Sequence, residues 1–433
     1  MSPFVIGLAG FAVLIILMFL RMPVGFVMAL VGYLGFGIII SWSAASSLII
    51  RDFYATFSSY NLTVVPLFVL MGQVAFHSGI SGRLFNSANK FFGHLPGGLA
   101  IATIGACAGF SAVSGSTSAT AATMASVALP EMKKFKYDPA LATGVVAAGG
   151  SLGILIPPST IFIIYGIMTE QSIGELFIAG VIPGILLSLF FIISILIWTR
   201  FNPEIGPRAP RSSWDEKIKS FSGIIETLIL FVLVMGGLFA GFFTPTEAAG
   251  IGASGTIVIA LAGRRLSWQG FVRALYDTTR ISCMIFVVVA GATVFGHFLA
   301  VTQIPANIGS FVADLQFHPM IIMGFIIVIY LFLGCLMDSL AMIMLTIPII
   351  YPVVLAMGYD PIWFGVVIVV IAEMGVITPP VGINAYVVAG VARDVPLHLI
   401  FRGALHMLYA MLALAVLLLV FPQLATFLPQ LIR

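Results

Sequence analysis

The chain has 433 residues and a net charge of +3; hydrophobic residues make up 61% of it and charged residues only 8%. A soluble domain carries about 25% charged residues, so a water-facing surface of this size is excluded and the chain reads as an all-α polytopic membrane protein. The small charge leaves no footprint for nucleic acid, and three scattered cysteines in apolar runs, Cys107, Cys283 and Cys335, read as small buried hydrophobes, not as a disulfide framework.

A membrane-crossing helix needs about 20 mostly apolar residues. The first candidate, 4–20, has neither a basic leader nor a small-residue cleavage site, so it is read as a retained span. Spans are expected at 24–41 and 62–79, with a short interfacial helix at 43–59 between them. A long Gly/Ser-rich region covers 97–130, and spans follow at 140–167 and 176–198. A polar linker with Pro203, Pro207 and Pro210 runs from Arg200 to Lys219. The series then starts again: 224–243, 246–262, 282–300, a second long region at 319–356, then 362–391 and 399–421.

The recurrence has a fixed register. Tyr137-Asp138-Pro139 and Pro157-Pro158 return as Tyr359-Asp360-Pro361 and Pro379-Pro380, and 359 − 137 and 379 − 157 are both 222. The same shift pairs Pro23 with Pro245, Ala119 with Ala341, Pro130 with Pro352, Val145 with Val367 and Gly153 with Gly375. Two units are expected, 1–222 and 223–433. Helix-breaking Gly and Pro at matching places in two halves point to a transporter's binding site.

Basic residues orient the halves. Arg83 and Lys90 flank the front of region 97–130 and Lys133, Lys134 and Lys136 its back; Arg208, Arg211 and Lys217 lie in the linker, Arg264 and Arg265 follow 246–262, and Arg393 and Arg402 follow 362–391, whereas no Lys or Arg occurs from 281 to 392. The positive-inside rule puts the basic loops in the cytoplasm. Region 97–130 then enters from the cytoplasmic side and returns, and region 319–356 does so from the other face. The expectation is a pair of inverted-topology repeats, each with a re-entrant helical hairpin and a Pro-Pro-broken transmembrane helix.

Four pieces carry the chemistry. The first hairpin tip, Gly109-Phe110-Ser111-Ala112-Val113-Ser114-Gly115-Ser116-Thr117-Ser118, is too rich in small and hydroxyl residues for a continuous helix in lipid. Broken backbone at membrane depth is tolerated only against protein or a water-filled cavity. Freed carbonyls and hydroxyls can hold Na+, and half-helix N-termini favour an anion. The plainer alternative is close helix packing by small residues. The second tip, Gly334-Cys335-Leu336-Met337-Asp338-Ser339, sets Asp338 opposite Ser116 and Ser339 opposite Thr117. An intramembrane aspartate suits a bound cation; its alternative is a neutral, hydrogen-bonded Asp. The two Pro-Pro pairs lack N–H donors, so carbonyls near Gly153–Ile156 and Gly375–Thr378 become candidate cation ligands, each facing the hairpin of its own half. Ser159, Thr160 and Asn384, just past the breaks, are placed to hydrogen-bond a substrate.

Other polar residues have local roles. Asp138-Pro139 and Asp360-Pro361 read as helix starts, and Thr244 with Glu247 as a capping box. Glu373, two residues before Gly375, either orients the break or titrates. His297 reads as a satisfied buried histidine. No G-x-S-x-G surrounds Ser111 or Ser114, and no Walker A or H-E-x-x-H motif occurs. Without a nucleotide site, transport must draw on an ion gradient.

Taken together, Gly109–Ser118 with Ala119, Ile154–Ser159, Gly334–Ser339, Ile377–Asn384, Arg21–Gly25 and Pro66–Gly72 resemble the large membrane subunit of tripartite ATP-independent periplasmic (TRAP) transporters. The resemblance runs over essentially the whole chain. It implies the ion-transporter superfamily fold, with a scaffold and an elevator-type transport domain formed here by 97–167 and 319–391. It implies a smaller four-helix membrane subunit, a soluble periplasmic substrate-binding protein, and a bacterial inner-membrane location. Uptake of a small carboxylate, such as a C4-dicarboxylate or sialic acid, would be coupled to Na+ at two or more sites. One cation would be held by Ser114, Ser116, Gly153, Ile156 and Pro158, another by Gly334, Asp338, Ser339, Gly375, Thr378 and Pro380. Ser111 and Ser116 join Ser159, Thr160 and Asn384 as substrate candidates. Two other readings stay open: a self-sufficient Na+/dicarboxylate carrier, and an intramembrane enzyme using Asp338 and Glu373 as a facing carboxylate pair.

Overall fold

The computed structural model describes residues 2–314 and 317–432. Most of those residues are helical, with no strand among them. In chain order the helices are α1 (Pro3–Phe19), α2 (Val24–Ile39), α3 (Trp42–Phe57), α4 (Val64–His77), α5 (Ile80–Phe92), α6 (Gly98–Ser114), α7 (Thr117–Lys134), α8 (Pro139–Gly150), α9 (Leu152–Leu155), α10 (Thr160–Thr169) and α11 (Ile173–Phe201). They continue with α12 (Trp214–Phe231), α13 (Gly237–Phe239), α14 (Pro245–Ala262), α15 (Trp268–Thr302), α16 (Ile304–Asp314), α17 (Pro319–Gly334), α18 (Ser339–Ala356), α19 (Pro361–Val376), α20 (Ile383–Val391), α21 (Leu397–Val420) and α22 (Gln423–Ile432). A π turn, Val232–Gly236, joins α12 to α13. Among the described residues, seven helices are long and apolar enough to cross a membrane, eight if the bent pair Pro139–Leu155 and Thr160–Thr169 is one span.

The shift of 222 carries one set of helices onto the other. Added to the ends of α7, it gives 117 + 222 = 339 and 134 + 222 = 356, the ends of α18. It likewise takes α2, α5, α8 and α10 onto α14, α16, the start of α19 and α20, within two residues at each compared end. One departure is informative. In the first half α3 and α4 are separate, joined by a 3-10 turn at Tyr60–Thr63, whereas the second half has the single long α15. Pro66 stands where the shift finds Val288; its ring would clash with the carbonyl four residues back, so a straight helix cannot run through this point.

Both long regions fold back on themselves. The Leu99 N–H at the start of α6 donates to the Tyr137 hydroxyl just beyond α7, at 3.1 Å. In the second, Thr346 of α18 hydrogen-bonds Tyr330 of α17 at 2.5 Å; sixteen residues of continuous helix would separate them by about 24 Å. The broken helices follow: α8, α9 and α10 bend by 40° at the first Pro-Pro, and α19 and α20 are separated by the second. Both Pro-Pro peptides are cis.

Packing relies on close approach of backbones. A Cβ on Gly403 of α21 would fall 1.8 Å from the Ala140 carbonyl of α8. α2 packs lengthwise on α15, and α4 on α14. Asp138 and Asp360 accept from the first N–H groups of α8 and α19, and Thr244 and Glu247 form a reciprocal capping box.

Some expectations needed correction. The amphipathic α5 was visible only as a basic flank, because Ile80, Leu84, Phe85 and Ala88 bury one face while Lys90 lies on the other. The segment 200–219 is less of a hinge than its composition suggests: α11 runs to Phe201, and carbonyls and N–H groups of Ile205, Gly206 and Ala209 bond to Asp138, Gly97 and Gly93. Cys107 and Cys335 are buried, but Cys283 is exposed on the outer side of α15. His297 is not a buried core histidine: it is 43% exposed, with Nδ1 2.8 Å from Oδ2 of the buried Asp52 on α3.

Candidate functional site

The hairpin tips and the broken helices meet. The tip of the first hairpin is a two-residue link: Gly115, at φ +61°, and Ser116, which caps α7 by accepting from the Ala119 N–H at 3.4 Å. Thr160, at the start of α10, donates both its N–H (3.3 Å) and its hydroxyl (2.9 Å) to the Gly115 carbonyl. The second half repeats the contact: the Val381 N–H donates to the Cys335 carbonyl at 3.1 Å. Two glycines at the same shift permit it. A Cβ on Gly153 would lie 2.5 Å from the Ser116 carbonyl oxygen, and one on Gly375 2.4 Å from the Gly334 carbonyl carbon. Each broken helix thus rests on the hairpin of its own half.

A cavity of about 600 Å³ opens between these parts and the helices α4 and α15. Its wall includes Ser114, Ser116, Thr160, Asp338 and Ser339. Asp338 Oδ1 caps α18, accepting from the N–H groups of Leu340 (3.0 Å) and Ala341 (3.1 Å), and the residue is open to the cavity. A carboxylate has about four lone-pair sites, so capping leaves capacity for a cation. Ser114 shares a 2.8 Å hydrogen bond with Thr120.

The remaining candidates lie behind this wall. Ser111 is buried, and its hydroxyl donates to the Cys107 carbonyl of its own helix at 2.6 Å, so it does not face the cavity. Ser159 is also buried; its hydroxyl caps α10, accepting from the Phe162 N–H at 3.2 Å. Asn384 donates to the Ala147 carbonyl at 3.0 Å, while its buried side-chain oxygen has no hydrogen-bond partner among the described residues. Ile156 and Pro158 lie in the first break, with Gly153 in the short α9 just before it; Gly334 and Gly375 meet backbone to backbone, and Thr378 and Pro380 lie in the second break. The Gly153 and Ile154 carbonyls face Pro157 and Pro158 four residues on, which have no N–H to give. The Gly375 carbonyl is less free than expected: it accepts from the Thr378 N–H at 2.9 Å, and the Thr378 hydroxyl donates to the Met374 carbonyl at 2.5 Å.

Three groups were missed or left undecided in the sequence. Gln73 on α4 stands across the cavity, marked only by being polar within an apolar span. Thr117 lines the wall and is the counterpart of Ser339 at the 222 shift. Glu373, 1% exposed, accepts from the hydroxyls of both: Thr117 at 3.0 Å and Ser339 at 2.9 Å. Among the described residues no Lys or Arg lines this cavity. Away from the spans, Lys133 donates to Asp394 and holds its carboxyl below the usual carboxylate range, tying the end of α7 to the loop after α20.

The chain is similar to known proteins over nearly all its length. The family model of the DctM component of tripartite ATP-independent periplasmic transporters matches residues 11–424. A C4-dicarboxylate TRAP transporter large permease protein of Pseudomonas aeruginosa is 37% identical, covering 87% of this chain and 88% of its own. A sialic acid TRAP transporter large permease protein of Vibrio cholerae is 35% identical, covering 96% of each. Among solved structures, the Alcanivorax borkumensis YdaH transporter aligns with a TM-score of 0.66 at 15% identity, covering 86% of this chain and 87% of that one, a likeness of fold. With its multi-pass helical fold and a match from residue 11 to residue 424, this chain belongs to the DctM component family of tripartite ATP-independent periplasmic transporters.

Proposed function

We propose that this protein is the permease subunit of a Na+-coupled importer of a small organic anion in a bacterial inner membrane. The convergence of two hairpin tips and two broken helices on one cavity carries the reading. The helices α7 and α18 both begin at the cavity, at Thr117 and Ser339. The N-terminal partial positive charge of α7, capped only by the Ser116 hydroxyl, favours an anion, whereas that of α18 is met by the Asp338 carboxyl group; no Lys or Arg among the described wall residues competes for the anion. When ionised, the carboxyl groups of Asp338 and Glu373 would make the wall negative and repel an anionic substrate until cations enter. One cation beside Ser114, Ser116 and the carbonyls of Gly153–Ile156, and another beside Asp338 and Ser339, would remove that repulsion. Coupling follows from this electrostatics: Na+ and anion stabilise each other in a low-dielectric site.

Relatives are named for C4-dicarboxylate, sialic acid, isethionate and ectoine; a small carboxylate is the substrate class favoured here. The two units 1–222 and 223–433 would be inverted repeats, with 97–167 and 319–391 moving as an elevator against the rest. Delivery would come from a soluble periplasmic binding protein, and a small four-helix membrane subunit would complete the scaffold. The enzyme reading has less support. Asp338 and Glu373 do share the cavity, but both Glu373 oxygens are engaged by hydroxyl donors, and the relatives are named permeases.

Uptake into proteoliposomes tests this, using every combination of Na+ gradient, small subunit and binding protein. Uptake is expected only with all three. Uptake without Na+ would remove the ion coupling, and uptake by this chain alone would remove the tripartite organisation.

A further inference from the structure

We propose that Glu373 is the positioning residue that links the two hairpin tips, so that cation binding at one tip prepares the other. This rests on the Na+-coupled reading above. Among the described residues, Glu373 is the only side chain hydrogen-bonded to both tips: Oε2 accepts from Thr117 and Oε1 from Ser339. Those donors are the first residues of α7 and α18, and they are equivalents at the 222 shift. The matching position for Glu373 itself is Ser151, so the linking carboxylate has no acidic counterpart in the first half.

The chemistry concerns hydroxyl orientation. A hydroxyl has one donor and two lone pairs and rotates to suit its partners. Donation to the Glu373 oxygens fixes each rotor and turns the lone pairs of Ser339 and Thr117 away from Glu373. Groups that orient a ligand in this way typically change metal affinity by about 10–100-fold when removed. Because one carboxylate holds both rotors, moving one tip shifts the acceptor of the other. Asp338 is the other carboxylate on this cavity, and its Oδ1 is held by its own helix.

The test is the Na+ dependence of uptake by the complete complex in proteoliposomes, for wild type, Glu373→Gln, Glu373→Met and Thr117→Val. Wild type should show a steep, cooperative dependence. Glu373→Met should raise the Na+ half-saturation by about 10–100-fold and bring the Hill coefficient down towards unity. Glu373→Gln, which accepts from one hydroxyl but donates to the other, should fall between. Thr117→Val should shift Na+ affinity in the same direction but have no added effect in the Glu373→Met background, since both changes break one link. A purely structural role would lower folded yield or maximal rate and leave half-saturation and Hill coefficient unchanged. Wild-type curves for Glu373→Gln and Thr117→Val overturn the proposal even if Glu373→Met fails to fold. A wild-type protein indifferent to Na+ overturns the ion-coupled function itself, and this link with it.

Discussion

The cap that Asp338 forms and the cation role proposed for it can be separated by substitution. Its Oδ1 caps α18, and its remaining lone pairs face the cavity. Asn caps about as well as Asp, whereas Ala costs about 1 kcal/mol. Asp338→Asn is therefore expected to unfold at nearly the wild-type temperature in detergent, yet to need at least about tenfold more Na+ for half-maximal uptake. Asp338→Ala should lose Na+-driven uptake altogether and about 1 kcal/mol of stability. An Asn variant with unchanged Na+ dependence would deny the carboxylate any ion role. Asp338 was legible in the sequence because a lone carboxylate in an apolar run is expensive. Ser111, Ser159 and Asn384 were legible only as polar residues near breaks. What each of them bonds to depends on its rotation about its own helix and on that helix's neighbours, and spacing alone cannot supply this.

At the scale of elements, the breaks and the glycine contacts govern the arrangement. Pro157→Ala would restore an N–H that the Gly153 carbonyl can accept, withdrawing that oxygen from a cation. The expected result is a rise in Na+ half-saturation of about tenfold with uptake still present at high Na+; a curve superimposable on wild type would count against carbonyl ligation. Gly403→Ala tests the packing of α21 on α8. Its Cβ would overlap the Ala140 carbonyl at 1.8 Å, and overpacking of this kind costs about 1–3 kcal/mol. Gly390→Ala, on α20 with no heavy atom within 4 Å of the new Cβ, should be neutral or slightly stabilising. Thermal unfolding of the two variants side by side checks the contrast. The helices built on apolar runs and proline punctuation were foreseeable, and so were both fold-backs. The amphipathic α5 was harder, since a short amphipathic helix lacks a span's apolar length; the split of α3 from α4 was expected, but its counterpart in the second half, expected only as 282–300, runs on as the single α15.

For the whole molecule, a ligand that binds only the folded state stabilises it by mass action. At a hundred times its dissociation constant the gain is about 2.7 kcal/mol. Na+ in place of choline is therefore expected to raise the unfolding temperature of the detergent-solubilised wild type by a few degrees, and of Asp338→Ala by clearly less; equal shifts in both would place the sodium effect elsewhere. The sequence by itself determined that this is a multi-pass helical membrane protein whose two halves share a register of 222, because composition and helix-breaking residues act locally and survive without knowledge of neighbours. Tertiary structure alone decided that Thr117 and Ser339, 222 residues apart, meet on the two oxygens of Glu373. Hydrogen bonds between distant helices depend on how whole elements pack, and no local preference of the chain encodes that meeting.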